Sequence, residues 1–302
     1  MVKPDWFDAF FILRPTLFFP SWTFFLAGYT RGSGDAALFL MAWIAAALGA
    51  SFLLNQLSDR REDQINRKLL SHWSDLLSYR FLAIELIVLI TFVIAGGVVA
   101  GAELSFLLAL FFIVAGFLYN FPPFRLKARP ILGIVSCSVG IWIGYLMGAR
   151  AAGLPYSTAA MSGLAYAIAG GAVSLLTHIP DLKGDQLTGA STFPVVFGKN
   201  KTGLWALILV AASVLFSLMV REYALCAAAL VALPFFYRFW SSTTVAAAEL
   251  AIKVAVFSLA VFIGFTWPPF LAMIAVYYLF ARWYHRARLG IEYPSFKSAT
   301  DA

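Results

Sequence analysis

Five side chains in this 302-residue sequence stand out for the chemistry they could do. They are Asn55, Asp59 and Asp63 in "LLNQLSDRREDQINRKLL", and Asp181 and Asp185 in "DLKGDQLTGASTFPVVFG". On a helix, positions i, i+4 and i+8 project from one face, and Asp181 and Asp185 repeat the one-turn spacing. Two carboxylates one turn apart repel by roughly a few tenths of a kcal/mol in an isolated helix. A cation held between them turns that repulsion into attraction. Carboxylate oxygens with no His or Cys beside them suit Mg2+, which keeps several waters and meets phosphate oxygens through one or two carboxylates; they do not suit zinc. The blander explanation is that helix ends at a membrane surface are ordinarily charged. For either pair alone it carries at least equal weight, and two pairs on one side of a membrane weaken it.

The elements that must position these residues are apolar helices. The chain is 62% hydrophobic and only 12% charged, against about 25% charged in soluble proteins. Runs near the roughly 20 residues needed to cross a bilayer recur throughout, among them "FLAIELIVLITFVIAGGVVA" (81–100), "ILGIVSCSVGIWIGYLMGA" (131–149) and "LWALILVAASVLFSLMV" (204–220). The fold class is therefore an all-α polytopic membrane protein. The runs are too continuous for the alternation of a membrane β-barrel. The start, "MVKPDWFDAF", lacks the pattern of a cleaved signal peptide, so a first membrane helix is expected from about Phe7, with Arg14 and Pro15 inside it. Cys137 and Cys226 fall within apolar runs and read as small buried hydrophobes. The net charge of +7 is spread over loops and indicates no nucleic-acid partner.

Polar breaks alternate along the chain between basic and nearly base-free. Arg60, Arg61, Arg67, Lys68, Arg80, Arg125, Lys127, Arg129, Lys183, Lys199, Lys201 and Arg238 share one set with the basic C-terminal tail. The opposite set holds only Arg31, Arg150 and Arg221. The basic side is cytoplasmic by the positive-inside rule, which places the N-terminus and both acidic clusters inside. Eight spans are expected up to about residue 240, and residues 247–285 supply one or two more, giving nine or ten helices in a single domain over 1–302. The two acidic clusters each end an even-numbered span, an echo between halves that spacing alone does not establish as a repeat.

Other charges inside the apolar runs need partners. Glu249 and Lys253, at i and i+4, can satisfy one another. Glu85 has no partner evident in the sequence and stays a functional candidate. His178 is either a base or, as lone histidines more often are, a hydrogen-bonded structural residue. The abundant aromatics (29 Phe, 12 Tyr and 9 Trp) can line an apolar tunnel and face a cation, although most must pack or meet lipid.

Taken in order, the motifs resemble the UbiA superfamily of intramembrane prenyltransferases. "NQLSDRREDQINRK" is similar to its Asn-x-x-x-Asp-x-x-x-Asp signature. Asp181, Gly184, Asp185, Gly189, Thr192, Pro194 and Gly198 match the second signature. "YNFPPFRLKARP" (119–130) looks like the Tyr-x-x-Pro-Pro-x-Arg/Lys-Leu-Lys loop of the branch with chlorophyll synthases and archaeal geranylgeranylglyceryl-phosphate transferases. The resemblance covers the chain to about residue 200. It implies a UbiA-type bundle around a central cavity, and two Mg2+ ions held by Asn55, Asp59, Asp63, Asp181 and Asp185. These ions would bind the diphosphate of a polyprenyl donor, with Asp59, Asp63, Asp181 and Asp185 as the catalytic set. Arg125, Lys127, Tyr119 and Arg14 would contact the diphosphate. For Tyr119 the alternative is packing beneath the loop, and for Arg14 it is snorkelling to the interface. A lipophilic acceptor (aromatic, tetrapyrrole or glycerol lipid) would receive the prenyl group. The sequence departs from the family at Gln56 and Gln186, and "INRKLLSHWSDLLS" lacks the Arg-Pro-x-x-x-Gly that follows the first motif in many relatives. That departure keeps a second reading in play, a terpene cyclase of the same superfamily working without acceptor. A third, an ion-coupled transporter, would place acidic groups at mid-membrane depth on broken helices.

Overall fold

The computed structural model describes residues 6–65 and 77–294, with residues 55–65 by backbone only. Among the described residues the chain is all helix and turn. In chain order the helices are α1 (Trp6–Ile12), α2 (Phe18–Tyr29), α3 (Ala37–Ile65), α4 (Tyr79–Ala100) and α5 (Ala102–Phe111). They continue as α6 (Leu132–Ala151), α7 (Tyr156–Thr188), α8 (Phe193–Met219), α9 (Tyr223–Ser242), α10 (Val245–Thr266) and α11 (Pro269–Leu289). A π-helical segment, Phe112–Leu118, extends α5, and 3-10 turns occupy Pro15–Leu17 and Leu126–Ala128.

Seven of the described helices are long and apolar enough to cross a bilayer: α3, α4 and α6 to α10. The first span is not the single helix expected from the sequence. It breaks between Ile12 and Pro15 with a bend of 41°, and Arg14 there takes a left-handed conformation, φ 55°. Pro15 is the physical cause. Its ring disfavours helical geometry in the residue before it and its nitrogen donates no hydrogen bond. The segment 102–118 is apolar but shorter, and α11 is helical without combining the length and apolarity of a span.

Packing is sequential from α6 to α10, each helix lying against the one that follows it, with α2 against α6 and α10, and α3 against α4 and α7. Helices α2 and α6 cross so closely that a Cβ added at Gly148 would collide with the Phe25 carbonyl, and one at Gly28 with that of Tyr145. Small residues permit this approach where hydrocarbon surrounds the bundle and packing, not water, drives association.

One end of the bundle is fixed by the turns. Ser33 N donates to the Ala152 carbonyl at 3.4 Å, so the α2–α3 and α6–α7 turns share that end. There Arg150 bridges Glu103 at 2.5 Å and donates to the Leu154 carbonyl. Helices α3 and α7 both start at this end and run away from it.

Candidate active site at the far ends of α3 and α7

From its start at Tyr156, α7 reaches Asp181 after about 37 Å, and α3 reaches Asp59 from Ala37 after about 33 Å, at 1.5 Å per residue. Both acidic motifs therefore stand at the same end of the bundle, opposite the Ser33–Ala152 turns. Helix α3 is continuous through Ile65, so Asn55, Asp59 and Asp63 occupy i, i+4 and i+8 of one helix. Their side chains lie outside the described residues.

The second motif is described in full. Pro180 sits inside α7 directly before Asp181 and removes the N–H that would otherwise bond the Leu176 carbonyl. Asp181 and Asp185 follow, one turn apart and half-buried. Gly189 ends the helix in a left-handed conformation, φ 75°, and returns its N–H to the Asp185 carbonyl. That reversal delivers Thr192, 3% exposed, whose Oγ1 donates to Asp185 Oδ2 at 2.9 Å. Pro194 then opens α8 at its first turn, where a missing N–H costs nothing, and Gly198 kinks that helix at φ 80°. The glycines, threonine and proline of the motif thus have one shared result: they aim Asp185 and hold one of its two oxygens.

The loop 119–130 meets this motif directly, because Ser191 N donates to the Ala128 carbonyl at 3.0 Å. Arg125 is held in a left-handed turn, φ 37°, with its N–H on the Phe121 carbonyl at 2.8 Å. Arg125 and Lys127 are half-buried and engaged, as are Asp181, Asp185 and His178. Tyr119 lies beside the Cys137 thiol, which also neighbours Ser174. Arg14 is placed at the break of the first span and is likewise engaged.

An apolar chamber of about 220 Å3 opens behind these groups, enclosed by α2, α6, α7, α8, α9 and α10. Cys137, Ser174 and Thr177 line its near end. Thr177 precedes Asp181 by one turn and is itself exposed, so the chamber opens on the acidic side. Its far end is made by Phe24, Ile141, Leu225 and Leu259. A larger cleft of about 710 Å3 between α3, α4 and α5 is lined by Trp43, Ile94 and other apolar or small residues. It contains none of the candidate residues and faces out from the bundle.

Among the described residues no three His, Cys, Asp or Glu side chains gather as a metal site. Asp181 and Asp185 supply two of the five expected oxygen ligands, and the other three are Asn55, Asp59 and Asp63. The donor chemistry of this pair fits Mg2+: two carboxylates at one-turn spacing, one braced by a hydroxyl.

Glu222 was not anticipated. It stands in the short polar break before α9, yet it is 3% exposed and accepts from Tyr145 Oη at 2.9 Å and Tyr166 Oη at 3.0 Å. Arg31 Nε lies 3.5 Å from it. The Glu249–Lys253 pair forms as expected, at 3.8 Å. Glu85 is half-buried with Oε2 lacking a hydrogen-bond partner, and both cysteines are free.

The sequence pattern of the UbiA prenyltransferase family matches residues 16–254. A digeranylgeranylglyceryl phosphate synthase from Methanothrix thermoacetophila is 30% identical over 172 residues, which span 57% of this chain and 62% of that relative. Among solved structures, a UbiA homolog from Archaeoglobus fulgidus bound to GPP and Mg2+ superposes with TM-score 0.71 at 18% identity, covering 86% of this chain and 98% of that one. The apo UbiA homolog from Aeropyrum pernix K1 gives TM-score 0.62 at 14% identity over 84% of this chain and 97% of that one.

Proposed function

This chain belongs to the UbiA prenyltransferase family, and from that premise we propose that it is a Mg2+-dependent intramembrane prenyltransferase. It would transfer a prenyl group from its diphosphate to a lipophilic acceptor. One observation supports the reading: the Thr192-braced Asp185 motif is joined by the Ser191–Ala128 hydrogen bond to the loop bearing Arg125 and Lys127, and Asp181 stands one turn from Thr177 in the lining of an apolar chamber. That arrangement suits a molecule with a polyanionic head and an apolar tail. Structures of a UbiA homolog from Archaeoglobus fulgidus with the same fold, bound to GPP and Mg2+ and to DMAPP and Mg2+, support a prenyl diphosphate as the ligand.

The carboxylates of Asp181 and Asp185, together with Asn55, Asp59 and Asp63 from α3, would hold Mg2+, which supplies neutralising charge to the diphosphate as it leaves. Arg125 and Lys127 would add charge-assisted hydrogen bonds to the same oxygens. The prenyl C1–O bond breaks with its electron pair going to the diphosphate, and the acceptor nucleophile bonds to C1 and gives up a proton. Thr192 keeps Asp185 oriented, and the chamber keeps water from the allylic carbon. A site at the basic end of the bundle faces the cytoplasm by the positive-inside rule. The acceptor classes that suit access from the bilayer are the aromatic, tetrapyrrole and glycerol-lipid ones.

Incubation of the purified protein with Mg2+, a set of prenyl diphosphates and lipid-soluble acceptors, read by mass spectrometry, tests the proposal. Asp181→Asn and Asp185→Asn are each expected to lower diphosphate release by at least about 100-fold, the scale of lost charge stabilisation at a reacting phosphate. Retained turnover in both would refute the metal assignment. The altered sequence after the first motif favours testing a cyclase in parallel: a cyclised hydrocarbon formed without acceptor would replace the transferase reading.

A further inference from the structure

We propose that Asn120 is a positioning residue of the cation centre: its Oδ1 accepts a hydrogen bond from the side-chain amide of Asn55, which leaves the oxygen of Asn55 for the metal. This rests on the Mg2+ reading above for the identity of the ligand, while the state of Asn120 stands on geometry.

Asn120 occupies a position that the Tyr-x-x-Pro-Pro pattern leaves open. It is 4% exposed, and its Nδ2 donates to the Gly116 carbonyl at 2.8 Å. A carbonyl only accepts, so the nitrogen must face Gly116 and the oxygen must point away from it. That oxygen has no hydrogen-bond partner among the described residues. A buried acceptor without a donor is costly, and it calls for one that the fold brings within reach.

The amide is directed toward α3. Helices α3 and α5 both start at the end fixed by the Ser33–Ala152 bond and the Arg150–Glu103 bridge, so they run in the same direction. The chain that continues α5 meets α3 where a Cβ on Gly116 would lie 3.1 Å from Ser51 Oγ. Asn55 is one turn beyond Ser51 on α3. Asn120 is one turn beyond Gly116, with its side chain folded back along the Gly116 face. The two asparagines therefore stand at one level on facing elements. Tyr119, by contrast, turns to Cys137 on α6. The π-helical segment Phe112–Leu118 lies just before this point, and such segments are rare and frequent at functional sites.

The two side chains are complementary. An asparagine amide carries one acceptor oxygen and an NH2 group with two donors. When the oxygen of Asn55 serves a cation, its NH2 needs an acceptor, and Asn120 Oδ1 is a buried acceptor in need of a donor. Partners of this kind fix the orientation of a metal-binding side chain.

The test is Mn2+ binding to the detergent-solubilised full chain, read from the EPR signal of free Mn2+, with the metal-free melting temperature and diphosphate release measured alongside. Asn120→Ala and Asn120→Leu are each expected to weaken Mn2+ binding by about tenfold or more. Asn120→Leu removes the stranded oxygen and leaves the Gly116 carbonyl with the Tyr119 N–H, so its metal-free melting temperature stays at or above that of the parent. Adding Asn120→Ala to Asn55→Ala brings no further loss of affinity, because the bond is already gone. Unchanged Mn2+ affinity in both Asn120 variants, or losses that multiply in the double variant, overturns the proposal and leaves the transferase reading standing. Weakened binding that comes only with a lowered metal-free melting temperature in both variants overturns it in favour of a packing role. The expected pattern without diphosphate release from any prenyl donor upholds the bond and defeats the transferase reading. A parent that binds no Mn2+ defeats the metal assignment and this bond with it.

Discussion

Thr192 shows how much a single hydroxyl contributes to the acidic end of this bundle. Its bond to Asp185 Oδ2 fixes a carboxylate whose helix ends one turn later. Partners of metal-binding side chains typically contribute 10- to 100-fold in affinity or activity. Thr192→Ala is accordingly expected to lower activity by about that factor and to raise the Mg2+ concentration for half-maximal rate, whereas Thr192→Ser retains both near wild type. A Mg2+ titration of the two variants checks this, and an unchanged half-maximal concentration in the alanine variant would show that the bond is structural only. Asp181 and Asp185 were legible from one-turn spacing at the end of an apolar run, and Thr192 from the motif. Its bond was not, because the path of the six residues between depends on the Gly189 reversal. Glu222 gave no local signal at all. Its tyrosine partners stand 77 and 56 residues away, and the polar break around it read only as a turn.

Elements were easier to read than their joints. Long apolar runs dictated α3, α4 and α6 to α10, because a bilayer leaves a spanning backbone no other way to satisfy its hydrogen bonds. The break at Arg14 was carried by a local rule about proline, yet the continuous apolarity on both sides concealed it. Close crossings are a further property that periodicity does not reveal, and the α2–α6 contact gives a sharp test. A methyl group at Gly148 meets the Phe25 carbonyl, part of a backbone that cannot step aside, while one at Gly144, a turn earlier on the same helix, finds only Phe24 Cβ at 3.8 Å. Gly148→Ala should cost at least about 1–3 kcal/mol, the usual range for overpacking, and lower the melting temperature in detergent by several degrees. Gly144→Ala should leave it unchanged or slightly raised, since alanine also restricts the unfolded chain. Equal melting temperatures for the two would mean that α2 and α6 separate without cost. Because Phe24 and Ile141 form the chamber wall from these same helices, the crossing also sets the distance between them.

Across the whole molecule, the first and last of the described helices, α1 and α11, are tied together on the acidic side of the bundle. Asp8 on α1 is 0% exposed, accepts from the Tyr284 hydroxyl and pairs with Arg288 through Nε at 3.1 Å and Nη2 at 2.5 Å. Phe11 stacks on Tyr284 with ring centroids 4.0 Å apart, and Thr16 meets Tyr277 at 2.6 Å. This clasp matters because α1 is short and is separated from α2 by the Arg14 break, so it cannot be held in line by its own helix. A seven-residue helix is well below the length that is stable alone, and α11 lacks the apolarity to anchor itself as a span. Each stabilises the other. Removing one partner of a buried ion pair costs about 3–5 kcal/mol, whereas replacing both by apolar residues of similar volume is often neutral or stabilising. Asp8→Ala is therefore expected to lower the melting temperature in detergent, and Asp8→Leu combined with Arg288→Met to restore much of it. The single variant should also speed proteolysis at the chain ends, since α1 and α11 would open together ahead of the bundle. A single variant as stable as the parent, or a double variant no better than the single, would mean that the aromatic stack holds the ends and the ion pair does not.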